Sequence, residues 1–261
     1  MRAMNIASSG MMAQQTNVEV IANNIANLNT TAFKRQRAEF QDLLYQSERR
    51  VGATSSDTGT IVPVGVQIGI GVKTAAVYRI TTQGNLTQTS NPLDLAIQGR
   101  GFFQVLQPDG TTAYTRAGSF QLSPTGEIVT ADGFTVQPGI TLPQNTLGLT
   151  INPSGQVLAQ VAGQTTPQTV GQLQLANFPN EGGLEALGSS LFQETPASGS
   201  PVTGAPGSTG FGTINQGLLE TSNVDVVSEI TNLITAQRAY EMNSKVIQTS
   251  DQMLSSLNQI Q

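Results

Sequence analysis

The run TSNVDVVSEITNLITAQRAYEMNSKVIQTSDQMLSSLNQIQ, residues 221–261, decides how the rest of the chain is read. It contains no Gly or Pro, and Val226, Leu233, Tyr240, Ile247 and Leu254 recur at seven-residue steps, with Ile230, Ala236 and Leu257 on intermediate turns. Ser222 reads as the N-cap with Asp225 three residues on, and Asp225 and Glu229 suit the positive end of a helix dipole. The spacing predicts a single helix of roughly 55 Å, at 1.5 Å per residue, carrying a coiled-coil-like seam. Asn, Ser, Thr and Val are middling helix formers. Burying five seam residues cannot offset the entropy of ordering so long a segment, so the helix needs a partner along its length.

The other end of the chain supplies one. Met4, Met11, Val18 and Ile25 fall seven apart, and Ala7, Gln14, Ile21 and Leu28 form a second series three positions later. Residues 22–34, ANNIANLNTTAFK, then end the first helix in turn-prone Asn and Thr. Asn23, Asn24 and Asn27 are poor helix-interior residues unless their amides have partners. They read either as caps on a fraying terminus or as hydrogen-bonding groups for neighbouring chains. The two seams themselves fit an intrachain helical hairpin as well as packing between chains.

Lys34, Arg35 and Arg37 read as a solvated basic face. Residues 47–65 are irregular, and after them Val66, Ile68, Ile70 and Val72 alternate with Gln67, Gly69 and Gly71, which predicts an extended arm or hairpin. From Asn85 to Phe178 the signal is β throughout. Turns at Pro108-Asp109-Gly110, Pro124-Thr125-Gly126, Asp132-Gly133 and Pro153-Ser154-Gly155 separate short strands, as in a sandwich or open barrel. Residues 195–213 have the composition of a flexible linker or exposed loop. The fold class is α+β, mainly β, in the order helix, arm, β body, loop, helix.

Twelve basic against seventeen acidic residues give a net charge of -5, which argues against nucleic acid. Zero Cys and zero His remove disulfides, thiol and His-based catalysis and the usual zinc sites. No run of apolar residues is long enough to insert in a membrane, and the N-terminus lacks the features of a secretory signal. An extracytoplasmic destination would require export without a cleaved signal peptide. Gly99-Arg100-Gly101 leads into a strand rather than a phosphate loop, and Asp94, Asp109, Glu127 and Asp132 sit at turns or strand edges as ordinary solvated acids. No catalytic, cofactor or metal residue is expected.

Several stretches resemble the flagellar rod and hook protein family. They are Ser8-Ser9-Gly10-Met11-Met12 through Phe33-Lys34-Arg35-Gln36-Arg37, Gly84-Asn85-Leu86 through Gly101-Phe102-Phe103, Tyr114-Thr115-Arg116-Ala117-Gly118-Ser119-Phe120, and Gln237-Arg238-Ala239-Tyr240-Glu241-Met242-Asn243-Ser244-Lys245. The last of these, with Glu220-Thr221-Ser222-Asn223-Val224-Asp225, is most similar to the distal-rod branch. Proximal rod and hook branches, and from other classes a secreted adhesin or a carbohydrate-active enzyme, are the alternatives. Ala32 stands where the family commonly has Gly, which questions any need for positive φ there.

The resemblance implies a structural subunit in three domains: terminal helices of residues 1–33 and 222–261 paired as a coiled coil, a connecting domain with a long arm in 34–83 and 212–221, and an outer β domain in 84–211. It implies export through the flagellar channel, a periplasmic place in the basal body, and a helical homopolymer. That polymer would contact proximal rod proteins, hook protein and the outer-membrane and peptidoglycan ring proteins. The expected assembly interface comprises Met4, Met11, Val18, Ile21, Asn23, Asn24, Ile25, Asn27 and Leu28, with Val226, Ile230, Leu233, Tyr240, Ile247, Leu254 and Leu257.

Overall fold

The long gap-free periodic runs at the two ends become helices α1, Arg2–Ala26, and α2, Val226–Ile260, in a computed structural model that describes residues 2–49, 64–164 and 166–260. The helix start differs from the expected one. Ser222 lies four residues before α2, and Asp225 occupies the cap position: its carbonyl accepts from Glu229 N at 3.0 Å and its carboxylate from Ser228 Oγ at 2.5 Å. Ser222 Oγ instead accepts from Val224 N at 3.4 Å. The Ser and Asp types both suit a cap, and the apolar period, which begins at Val226, selects Asp225.

The described residues form two compact units, the first made of residues 1–26, 36–78 and 225–261 and the second of 27–35 and 79–224. In the first unit the helices pack together and the arm is a narrow ribbon. Strand Gln36–Asp42 pairs with Val72–Arg79, and Tyr45–Arg49 pairs antiparallel with Val66–Gly69. The two pairs are joined by Leu43 N to Gly71 O at 2.8 Å and Ile70 N to Leu44 O at 3.3 Å. Gly71 has φ +137, and a Cβ there would stand 2.2 Å from Ser9 Oγ of α1, so only glycine allows the ribbon to lie against the helix at this point. The expected irregular stretch 47–65 falls partly on this ribbon and partly outside the described residues.

The second unit carries the apolar core. Strand Phe102–Leu106 alternates its side chains between two faces. Phe103 and Val105 are buried on one side of the alternation; Phe103 meets Phe120 edge-on at 5.1 Å within a cluster that includes Leu95, Ile97, Ile128, Val157, Leu175 and Ile214. Phe102 joins Tyr114, Ala176, Phe178 and Leu184 in a second cluster. This strand lies in the middle of a nine-stranded sheet ordered Glu185–Gly188, Leu191–Gln193, Thr112–Thr115, Phe102–Leu106, Thr135–Val136, Ile128–Val129 and Gln121–Leu122, with Leu175–Asn177 and Val202–Gly204 branching from it. A separate antiparallel sheet joins Thr146–Ile151, Gln156–Val161 and Gln168–Gln172.

The sheets are open, and the nine-stranded and three-stranded sheets share the larger apolar cluster, which joins Phe103, Ile128 and Leu175 to Ile151, Val157 and Ala159. The four expected turns are present with Gly110, Gly126, Gly133 and Gly155 at positive φ. The composition of residues 195–213 misleads. That stretch includes strand Val202–Gly204, paired with Leu175–Asn177, and Ser198 is buried with its hydroxyl bonded to Thr195 O at 2.8 Å. Gly, Ser and Pro there build tight hydrogen-bonded turns rather than a tether.

Candidate assembly interface

The helix pair sets the geometry. Asn24 Nδ2 donates to Glu229 Oε2 at 3.1 Å, and a Cβ on Gly10 would stand 2.9 Å from Asn243 Nδ2. These two pairings make the helices antiparallel, and the same register sets Asn17 opposite Ala236. On α1, Ala7, Gly10, Gln14, Asn17, Ile21 and Asn24 recur three or four apart and are all buried or half-buried, and Ala13 and Val20 are buried as well. The seam positions of α2 are Val226, Glu229, Leu233, Ala236, Asn243, Ile247, Ser250 and Leu254. Small and polar residues therefore share the seam with the half-buried apolar Val226, Leu233, Ile247 and Leu254. Its small and polar members also recur by sevens: Glu229, Ala236, Asn243 and Ser250 follow the Val226 series three positions later. Scoring apolar residues alone hides that second stripe.

The expected interface residues divide by exposure. Ile21 is buried; Met4, Met11, Val18 and Ile25 are half-buried, as are Val226, Leu233, Ile247 and Leu254. Ile230 and Tyr240 are 46% and 44% exposed, while Leu257 lies outside the described side chains. Leu28 and Asn27 lie beyond the end of α1, half-buried in the turns that follow, where Thr30 Oγ1 donates to Asn27 Oδ1 at 3.1 Å. Asn23 is exposed.

Asn24 is 1% exposed and is used within its own chain. Besides Glu229, its amide donates to Gln36 O at 2.8 Å and accepts from Gln36 N at 2.8 Å, which fastens the first arm strand to the helix pair. Such an amide satisfies the polar groups that a helix end would otherwise bury unpaired.

α2 also exposes Val227, Ile230, Ile234, Met242, Val246 and Met253, with Val227 73% and Met242 65% exposed, and Tyr240 on the seam series is 44% exposed. The arm exposes Leu44, Tyr45, Val66, Ile70 and Val77.

In the second unit a buried ion cluster holds the segment that leaves α1. Glu220 takes Lys34 Nζ on Oε1, at 2.5 Å, and Arg116 Nε on Oε2, at 2.9 Å, and also accepts from Gly84 N at 2.9 Å. Arg116 donates further to the carbonyls of Gly101 and Gly99, at 3.0 and 2.9 Å. Burial alone would push the Glu220 carboxyl up, but Arg116, Lys34 and the hydrogen bonds together hold it below the usual carboxylate range. Burial, reinforced by Arg116, lowers the Lys34 ammonium despite its pairing with Glu220. The solvated basic face read at Lys34 is thus corrected: its head group is 4% exposed and paired across 186 residues of chain.

In sequence, the paired terminal helices flank the β body, and apolar side chains are exposed on helix and arm. Comparison with known proteins identifies the family. Residues 4–34 match the model of the flagella basal body rod protein family, residues 96–159 that of the flagellar hook protein FlgE/F/G D1 domain, and residues 215–260 that of the flagellar basal body rod FlgEFG protein C-terminal region. The flagellar basal-body rod protein FlgG of Caulobacter vibrioides is 64% identical over all of this chain and 99% of its own length. That of Agrobacterium fabrum is 56% identical over 98% of this chain and 97% of its own. A flagellar hook-basal body complex protein of Bacillus subtilis, FlhP, is 28% identical over the whole chain and 99% of its own length. The chain belongs to the flagellar basal-body rod protein family, whose members are structural parts of the flagellum and not enzymes.

Proposed function

We propose that this structural rod protein forms the distal part of the shaft, as a helical homopolymer that carries torque from the motor to the hook. The observation that carries this reading is the set of exposed apolar side chains on α2, from Val227 to Met253, which the helix's own partner leaves open. Identical chains can cover such side chains by heterologous contacts, and contacts of that kind that do not close into a ring generate a helical filament. In this reading the terminal helices line the inside of the tube, the arm of residues 34–83 bridges neighbouring chains, and the β body of residues 84–211 faces outward. The polymer follows proximal rod proteins, precedes hook protein, and turns within the peptidoglycan and outer-membrane rings, its subunits exported to the periplasm without a cleaved signal. Among the described residues no helix is long and apolar enough to cross a membrane.

Electron microscopy of basal bodies from cells with this chain deleted in frame tests the assignment. The expected result is a shortened rod without hook or outer rings. A full rod lacking only the hook would overturn the distal-rod assignment in favour of a hook subunit.

A further inference from the structure

We propose that residues 32–35, 80–85 and 220–223 form a register clasp, a polar junction within the second unit that fixes which residues of α1 and α2 meet. The helices alone specify this poorly. The Met4 series on α1 and the Val226 series on α2 both repeat by sevens, so sliding one helix past the other by a heptad sets like against like. The hydrogen bond from Asn24 to Glu229 opposes that slip at one level of the seam.

The backbone passes between the units at 26/27, 35/36, 78/79 and 224/225, each at or near the end of one of these segments. Asn223 ties the segments together with one side chain: its Oδ1 accepts from Arg35 N at 2.7 Å, and its Nδ2 donates to Ile80 O at 2.9 Å and to Thr82 O at 3.0 Å. Ala32 N donates to Glu220 O and Thr221 N to Asn85 O, both at 2.8 Å. The Glu220 carboxylate adds Lys34, Arg116 and Gly84 N. Gly84 and Thr221 meet too closely for any side chain, since a Cβ on Gly84 would stand 2.0 Å from Thr221 O. A buried ion cluster stabilises no better than an apolar one of the same shape, and its best attested use is to enforce one register, because a slip leaves charges unpaired. Ala32, held at φ 57, adds backbone strain that only an over-determined arrangement sustains. Residues 35 and 223 are thereby held together, and α1 ends and α2 begins a short way along the chain from them. Pairing of the helices then starts from a fixed root, and the pairs that close the shortest loops are the in-register ones.

The chain has no cysteine, so disulfide trapping reads the register directly in the full-length protein. Asn17 lies opposite Ala236 in the observed register. A one-heptad slip brings Asn243 there instead, a shift of about 10 Å along the helix, farther than a disulfide reaches. Asn17→Cys is combined with Ala236→Cys or with Asn243→Cys. With the clasp unaltered, the 17–236 bond is expected alone. Asn223→Ala, or two glycines inserted after Val224, should make the 17–243 bond appear while the 17–236 yield falls. The 17–236 bond as sole product in both of these variants would overturn the proposal, because the helices would then carry their own register. An Asn24→Ala chain that slips as readily as Asn223→Ala would overturn it too, by assigning the register to the Asn24–Glu229 bond. Should Asn223→Ala lose the thermal transition of the β body, the insertion, which leaves every clasp residue in place, still decides.

Discussion

At Ala32 the backbone takes φ 57 with the methyl buried at 2% exposure, so the position does use the left-handed region although it carries no glycine. Replacing it by Gly relieves about 1–2 kcal/mol of left-handed strain. The same change adds about 0.5–1 kcal/mol of unfolded-state entropy and removes a buried methyl worth about 0.8 kcal/mol. Ala32→Gly should therefore leave the urea midpoint nearly unchanged, whereas Ala32→Val, β-branched at positive φ in a buried place, should cost more than about 2 kcal/mol. Glu220 gives a larger effect. Glu220→Gln leaves Lys34 and Arg116 buried without their counter-charge and should destabilise by about 3–5 kcal/mol. Because the carboxyl is depressed in the folded state, its contribution is present above its unfolded value, near 4.5, and is lost as pH falls through the lower folded value. Denaturation curves across that acid window should be less steeply pH-dependent in Glu220→Gln than in the unaltered chain. Neither Ala32 nor Lys34 was legible in the sequence. An alanine does not announce its φ, and the basic run around Lys34 gives no hint of a carboxylate 186 residues away.

Among the elements, the two helices were the most legible, since a seven-residue period free of Gly and Pro has few other uses. What the period could not convey was which face carries the fit between them. Gly10 lies under the Asn243 amide, so Gly10→Ala must displace that side chain while gaining up to about 1 kcal/mol of helix propensity. Truncating Asn243 to Ala should remove the obstruction, so that Gly10→Ala becomes stabilising in that background. A double-mutant cycle read by thermal melting measures the coupling, and additive changes would show that the two residues do not meet. Exposure also separates two apolar residues that the heptad treats alike. Leu233 is half-buried in the seam and Tyr240 is 44% exposed. Leu233→Asp places a charge in the seam and should loosen the helix pair, lowering the helical circular dichroism signal. Tyr240→Asp should leave that signal intact and lower the yield of sedimenting polymer. Equal loss of helix in both variants would show that the difference in exposure between these two seam positions has no consequence for the helix pair.

For the whole molecule, the order of helix, arm, β body and helix was readable because each piece has its own period. The order of strands within the sheets and the ordered turns of residues 195–213 were not, since both depend on pairings between distant strands. The same distribution of residues predicts how the chain divides under truncation. The buried aromatic and aliphatic clusters, the Glu220 ion cluster and the bond from Ala32 N to Glu220 O, at 2.8 Å, all belong to the second unit. None of them draws on α1 or α2. The first unit has a seam with polar layers and a ribbon that covers one side of α1, which together bury little apolar surface for a helix of this length. Removing residues 1–26 and 225–261 should therefore leave a cooperative thermal transition in the β signal, while sedimentation shows only monomer at concentrations where the full chain polymerises. The converse piece, a synthetic helix covering residues 225–261, should be largely unfolded alone. If the truncated chain melted without cooperativity, the β body would depend on the terminal helices for its own stability, and a subunit whose ends order only on contact with neighbours would be excluded.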